Sequence, residues 1–291
     1  MDEFPRPKVT LPCSGGRRRL HSARVPLLIV ILLLAVSLAG CSKEEPRPPA
    51  DTTPAAVPPP PPPPEFGGGA PAYSVINITN GGGGIRGEVH LEGSFPADTM
   101  VRPTVDIQVC GAAFVDSTVR RSGNRLANVV VWLVDARSGK PLPLARRFEI
   151  AHTRCRLTPR VQAVRVGGTL NIRSADRTVH HARFVRGVDG STIKVVTEHD
   201  AGQVVPDESV LRWPGRIEVR CDAHPWTRGW ILAFDHPYFD VTDRRGSFAM
   251  DSVPPGRYRL IAWHERFGTL EDSVTVVGGD TARVALTLRA R

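Results

Sequence analysis

Apolar and polar residues alternate along most of the chain after residue 41, which is the pattern of strands that bury one face. The period of two is regular in residues 85–92, 216–220 and 283–288. Residues 128–134 are apolar almost throughout and predict a more fully buried strand. Glycine, proline, aspartate and asparagine separate these segments, and no segment after residue 41 has a convincing helical period. The pattern predicts an all-β fold made of β-sandwiches.

The first 41 residues have the composition of an export signal. Basic residues at 17–19 and Arg24 precede an apolar run over residues 25–39, which is too short for a comfortable membrane span. The run ends in the letters LAGC, which resemble the lipobox of bacterial lipoproteins. That resemblance implies cleavage before Cys41, a lipid on its sulfur, and a membrane-anchored place in the cell envelope, facing the periplasm or the cell surface. An uncleaved membrane anchor is the alternative.

Residues 42–72 are predicted to be a disordered tether rich in proline and glycine. They include a proline run at 58–64, and proline lacks the N–H that a sheet ladder needs. Residues 73–291 remain, enough for one large or two small domains. The formal net charge is +9, but the basic residues are scattered along strands, so we predict no nucleic-acid partner.

Three stretches of the folded part resemble the carboxypeptidase-regulatory-like, transthyretin-type β-sandwich: residues 84–93, 126–142 and 241–265. The most specific part is an Asp-x-x-Gly-x-Phe turn at residues 243–248, followed by Pro-Pro-Gly-x-Tyr. Turn chemistry explains this pattern, because glycine permits positive φ and the prolines stiffen the connection.

Residues 148–239 resemble a cupredoxin instead. The stretch 158–184 is similar to a cupredoxin strand pair with an Asp-x-x-x-His motif, and the stretch 213–239 is similar to the closing Cys-x-x-His loop and last strand. We therefore predict Greek-key sandwiches, with the cupredoxin-like domain inserted in a regulatory-like sandwich formed by residues 73–147 and 240–291. Bacterial exported lipoproteins that combine these two modules are the family this chain resembles. Three modules in tandem are the alternative.

The cysteines of an exported chain meet an oxidising compartment. Cys13 and Cys41 belong to the signal and the lipid site, which leaves Cys110, Cys155 and Cys221. We predict a Cys110–Cys155 disulfide, which leaves Cys221 as the free thiol, and Cys221 is the cysteine with a histidine three residues later.

The predicted metal site consists of His180, Cys221 and His224. Blue-copper sites use two histidines and one thiolate, with a weak axial partner. Strand alternation places His180 on the inward face and His181 on the other, and the cupredoxin resemblance selects the same histidine. Thr227 stands where the family pattern has an axial methionine, so it is a weak ligand or none. Copper is the predicted metal, with zinc or no metal as alternatives.

Two functions from different classes follow from these features. The first is a non-enzymatic lipoprotein that carries electrons or holds copper, with a redox protein as partner. The second is a non-catalytic binding or structural module with a degenerate metal site, whose partner would be a glycan, because the regulatory-like sandwich resembles carbohydrate-binding folds. An enzyme is not predicted, since no catalytic triad or zinc-peptidase motif stands out.

Overall fold

The structure, a computed structural model, describes residues 73–290 except 79–80, 96–98 and 135. The export signal, Cys41 and the tether lie outside the described residues. Within them almost all regular structure is strand, and the one helix is a single turn, so the prediction of an all-β fold is confirmed. No helix in this described part is long and apolar enough to cross a membrane.

Short strands make up most of the first part of the described chain. The elements before residue 147 are β1 (Ser74–Val75), β2 (Gly83–Glu92), β3 (Met100–Val101), α1 (Ile107–Cys110), β4 (Phe114–Val115), β5 (Arg121–Ser122), β6 (Arg125–Leu126), β7 (Val130–Leu133) and β8 (Ser138–Gly139). The middle of the chain holds β9 (Arg147–Thr153), β10 (Arg156–Thr158), β11 (Val161–Arg165), β12 (Thr169–Ser174), β13 (His180–Arg186), β14 (Thr192–Glu198), β15 (Val204–Asp207), β16 (Gly215–Cys221) and β17 (Arg228–Phe234). The last are β18 (Phe239–Val241), β19 (Ser247–Val253), β20 (Gly256–His264), β21 (Gly268–Val276) and β22 (Thr281–Arg289).

One sandwich, called sandwich A below, combines strands from the two ends of the described chain. One of its sheets has the order β18-β7-β20-β21. The other has the order β19-β2-β6-β5, and β22 pairs with β2 in parallel. The alternating apolar residues of these strands meet between the sheets, as strand periodicity requires, and the core includes Ile85, Val89, Leu133, Leu260 and Leu286.

A second sandwich, called sandwich B, is built from β9 to β17. Its sheets have the orders β10-β9-β12-β15 and β11-β17-β16-β13-β14. Its core includes Ile150, Leu170, Ile172, Phe184 and Val219. In chain order, all of these strands lie between β7 and β18, which pair with each other in sandwich A.

The outer faces of the two sandwiches pack against each other. A third apolar cluster takes Trp132 and Trp263 from sandwich A and Leu232 and Phe234 from sandwich B. Trp263 also meets Trp230 edge to face, with 5.1 Å between the ring centroids. Because these side chains are largely apolar and buried, the interface holds both sandwiches in one compact unit.

The turn between β18 and β19 shows how its sequence pattern works. Asp243 Oδ1 accepts hydrogen bonds from the backbone N–H groups of Arg245 (2.7 Å) and Ser247 (3.0 Å). Gly246 has a φ of 72°, and a Cβ there would lie 2.7 Å from the carbonyl oxygen of Val89. The position therefore requires glycine for both its backbone angle and its space.

Candidate metal centre

Neighbouring strands of sandwich B bring Cys221 and His180 together. Cys221 is the last residue of β16 and His180 the first of β13, and the register pairs Ala182 with Cys221. Both side chains are buried. His181 turns to the other face, where its Nδ1 lies 3.0 Å from Thr197 Oγ1, as the strand alternation predicted.

The loop after β16 turns His224 back toward Cys221. The N–H of Cys221 donates to the carbonyl of Thr227, and the N–H of Thr227 donates to the carbonyl of His224. This tight turn leaves His224 Nδ1 3.5 Å from Cys221 Sγ, while His180 Nδ1 lies 3.7 Å from the same sulfur. The structure therefore brings both predicted histidine ligands close to the sulfur of the third, Cys221.

Each of these two sulfur–nitrogen distances is compatible with a shared metal ion. A metal with bonds of roughly 2.3 Å to a thiolate and 2.0–2.1 Å to an imidazole, at an angle of about 110–120°, places sulfur and nitrogen about 3.5–3.7 Å apart. The observed distances of 3.5 and 3.7 Å fall in that range. The donor set of one thiolate and two imidazoles is also the set that blue-copper centres use.

A carboxylate contacts each of these two imidazoles at Nε2, the ring nitrogen that faces away from the sulfur. His180 Nε2 lies 3.1 Å from Asp176 Oδ2, and His224 Nε2 lies 3.0 Å from Asp106 Oδ2. An Nε2–H that donates to a carboxylate leaves the lone pair on Nδ1, the nitrogen that faces the sulfur. Each ring is therefore held in the orientation that a metal ligand needs.

Asp106 reaches the site from a segment that precedes sandwich B in the chain. This cap segment, residues 99–118, contains β3, α1 and β4. Asp106 also accepts a hydrogen bond from Thr178 Oγ1 (2.7 Å), and Cys110 is disulfide-bonded to Cys155. The sulfurs of that disulfide come within 4.8 Å of a ring nitrogen of His224. The cap segment therefore closes over His224, whose side chain is fully buried.

Thr227 has a structural part in the site. Its Oγ1 donates a hydrogen bond to the carbonyl of Cys155, so the hydroxyl proton is committed to that partner. Of the two methionines in the described residues, Met250 packs in the core of sandwich A and Met100 is about half exposed on β3. Thr227 thus connects the loop after β16 to the disulfide-bonded Cys155, and it does not supply a soft ligand atom for a metal.

Sequence reasoning missed His152, which lies near the Cys221 sulfur, and Glu198, which contacts His152. His152 is on β9, and its ring stacks flat on His180 with 4.1 Å between centroids and 5° between planes. Its Nδ1 lies 2.7 Å from Glu198 Oε2, and neither side chain is exposed. Alternation along β9 could have placed His152 inward, because it shares a face with Phe148 and Ile150.

The surroundings of Cys221 favour its thiolate. Burial raises the pKa of the Cys221 thiol, but the imidazoles and the backbone N–H around its sulfur lower the pKa by more, to about 4. The imidazoles are those of His152, His180 and His224, and the N–H is that of His181. The sulfur is therefore held in the form that binds a metal.

The opposite shift affects His180. Burial lowers its pKa, but the hydrogen bond to Asp176 and the contact with Cys221 raise the pKa by more, to about 9. Without a metal, the site therefore favours an imidazolium beside a thiolate, and a cation at the sulfur would replace that proton.

Comparisons with known proteins give partial matches. The family model for polysaccharide lyase family 4, domain II, matches residues 235–284, which lie in the second half of sandwich A. The resemblance of sandwich A to the regulatory-like family stays a prediction. A search of curated proteins gives no match.

Solved copper proteins are similar to part of the chain. An amicyanin variant in its reduced Cu(I) form is 18% identical, and the match covers 31% of this chain and 85% of that one, with a TM-score of 0.27. A purple cupredoxin from Nitrosopumilus maritimus is 19% identical over 30% of this chain and 98% of that one, with a TM-score of 0.25. A copper-containing nitrite reductase from Thermus scotoductus is 21% identical over 35% of this chain and 24% of that one, with a TM-score of 0.25. Likenesses this distant carry no argument about function, which therefore rests on the site.

Proposed function

We propose that the protein holds one copper ion at His180, Cys221 and His224, and serves as a copper-holding or electron-carrying protein. The observation that carries this proposal is the convergence of two Nδ1 atoms, at 3.5 and 3.7 Å, on one sulfur. Both rings are already oriented by carboxylates, as the rings of metal-bound histidines usually are.

The donor set favours copper over zinc. Structural zinc sites have four protein ligands, and catalytic zinc sites keep an open position for water. Here the hydroxyl of Thr227 is committed to a carbonyl, and the three proposed ligands are almost completely buried. Two imidazoles and one thiolate in a closed site match what blue-copper centres use.

Burial of the ligands favours electron transfer or storage over catalysis. Copper, when bound, supplies one-electron chemistry, and the chain fixes two nitrogens and a sulfur around it and excludes water. The side chains of His180 and His224 are fully buried and Cys221 is 3% exposed, so a substrate has no direct route to the ligands. The proposal therefore does not include an enzymatic activity.

Copper titration of the purified full-length protein tests the proposal. We expect one equivalent of copper per chain and, with Cu(II), an intense visible absorption from charge transfer between the thiolate and the metal. Metal analysis and optical spectroscopy measure both. If neither Cu(I) nor Cu(II) binds stoichiometrically, the proposal is wrong, and a non-catalytic binding or structural module becomes the better hypothesis.

We also propose that a lipid on Cys41 anchors this site to a membrane of the cell envelope. The support is the small-residue end of the apolar run before Cys41 and the proline-rich segment that follows. Replacing Cys41 with alanine is expected to block cleavage and lipid attachment, which mass spectrometry of the protein purified from membranes would show. Normal cleavage of the Cys41→Ala protein would contradict the anchor.

A further inference from the structure

His152 and Glu198 form a buried ionisable pair that the three proposed ligands do not explain. Both side chains are fully buried, and Nδ1 of His152 lies 2.7 Å from Oε2 of Glu198. The contact is an ion pair without the direction of a hydrogen bond, and His152 Nε2 and Glu198 Oε1 also have no hydrogen-bond partner. Burying polar groups without hydrogen-bond partners costs folding free energy, so a pair of this kind calls for an explanation.

The pair lies against the proposed metal ligands. One ring nitrogen of His152 is within 4.8 Å of both Cys221 Sγ and a ring nitrogen of His180. A histidine in this place can either bind the metal or act on the sulfur from outside the ligand set.

The stacking of the rings decides between these two roles. A ring nitrogen binds a metal through a lone pair that lies in the plane of the ring. The planes of His152 and His180 are 5° from parallel with centroids 4.1 Å apart, so no single position lies in both planes. Because His180 presents Nδ1 to the sulfur and is anchored through Nε2, the geometry favours His180 over His152 as the ligand.

We propose that His152, held by Glu198, is a positioning residue of the metal centre that directs a ring N–H toward the Cys221 sulfur and packs flat against the proposed ligand His180. This inference rests on the proposed copper function. A carboxylate and a thiolate both neighbour the ring and favour an N–H on each nitrogen.

Such a donor would tune the copper rather than hold it. Hydrogen bonding around the cysteine sulfur sets the reduction potential of blue-copper centres. The sulfur carries more negative charge beside Cu(I) than beside Cu(II), so an N–H donor stabilises the reduced state more. Removing the donor should therefore lower the potential and, by raising the energy of the sulfur electrons, move the charge-transfer band to longer wavelength.

The test is His152→Phe in the full-length protein, which keeps a flat ring against His180 but removes both nitrogens. We expect the variant to bind one copper per chain, as the wild type does. Its affinity for Cu(I) relative to Cu(II) should fall about tenfold, which corresponds to a decrease of about 59 mV in the reduction potential. Glu198→Gln, which nearly keeps the shape of the side chain, should shift the potential in the same direction by less. His199→Phe, which changes an exposed histidine, is the control and should shift nothing.

The following results would contradict the proposed role of His152 or the proposed function. If His152→Phe binds copper more than about 100-fold more weakly in both oxidation states, His152 is a ligand. If its copper content, potential and spectrum all match the wild type, His152 is only a core residue. If His152→Phe does not fold, Glu198→Gln decides, and an unchanged potential there rejects the proposal. Failure of the wild type itself to bind copper would instead reject the proposed function, and this inference with it.

Discussion

Replacing Cys221 with serine is expected to abolish stoichiometric copper binding and all visible charge-transfer absorption. The donors around the sulfur hold the pKa of the Cys221 thiol at about 4, so a thiolate is ready for the metal at neutral pH. A serine hydroxyl keeps its proton and is a hard donor, unsuited to Cu(I). The loss of affinity should exceed the 10–100-fold, in round terms, that removal of an outer partner of a ligand causes.

His181→Ala is the matched control for Cys221→Ser. His181 is the chain neighbour of the ligand His180, but its side chain lies on the other face and contacts Thr197. Its contribution to the sulfur is a backbone N–H, which alanine keeps. Metal analysis and absorption spectra of both variants check the prediction. Full copper content in Cys221→Ser, or loss of copper in His181→Ala, would place the metal elsewhere.

Strand alternation was enough to predict the inward direction of two proposed ligands. It placed His180 and Cys221 on inward faces, and both are buried there. Alternation works here because a one-residue shift in either strand would carry its apolar residues out of the core. The position of His224 followed from the short loop after Cys221, which limits how far its side chain can lie from the sulfur.

The groups that orient the ligands could not be predicted in the same way. Asp106 lies 118 positions before His224, and its contact depends on how the cap segment folds across sandwich B. Glu198 meets His152 because β14 and β9 belong to facing sheets, and a single strand pattern contains no information about that pairing. The family pattern led us to expect Thr227 at the position of an axial ligand, but its bond to the carbonyl of Cys155 depends on the turn between β9 and β10.

Removing the disulfide with Cys110→Ala and Cys155→Ala together is expected to lower the free energy of unfolding by about 3–4 kcal/mol. The two cysteines are 45 positions apart. A cross-link that closes a loop of that length stabilises the folded protein by a free energy of this order, because it restricts the unfolded chain. Both residues are changed because a single free thiol beside Cys221 could form a wrong disulfide. Chemical denaturation measures the change. A loss below about 1 kcal/mol, or free thiols at both positions in the wild type, would contradict the prediction.

The same double variant should also release copper faster. The disulfide fixes the cap segment next to His224, and Asp106 in that segment orients the His224 ring. A more mobile cap would leave the imidazole less well held, and loss of such an outer partner typically weakens metal binding by about 10–100-fold. Asp106→Asn is the informative companion, because it keeps the disulfide but removes the carboxylate. Transfer of copper to a chelator, followed by absorption, should be faster in both variants, whereas the unfolding free energy should fall markedly only in the double variant. If Asp106→Asn releases copper at the wild-type rate, the cap does not control His224 through Asp106.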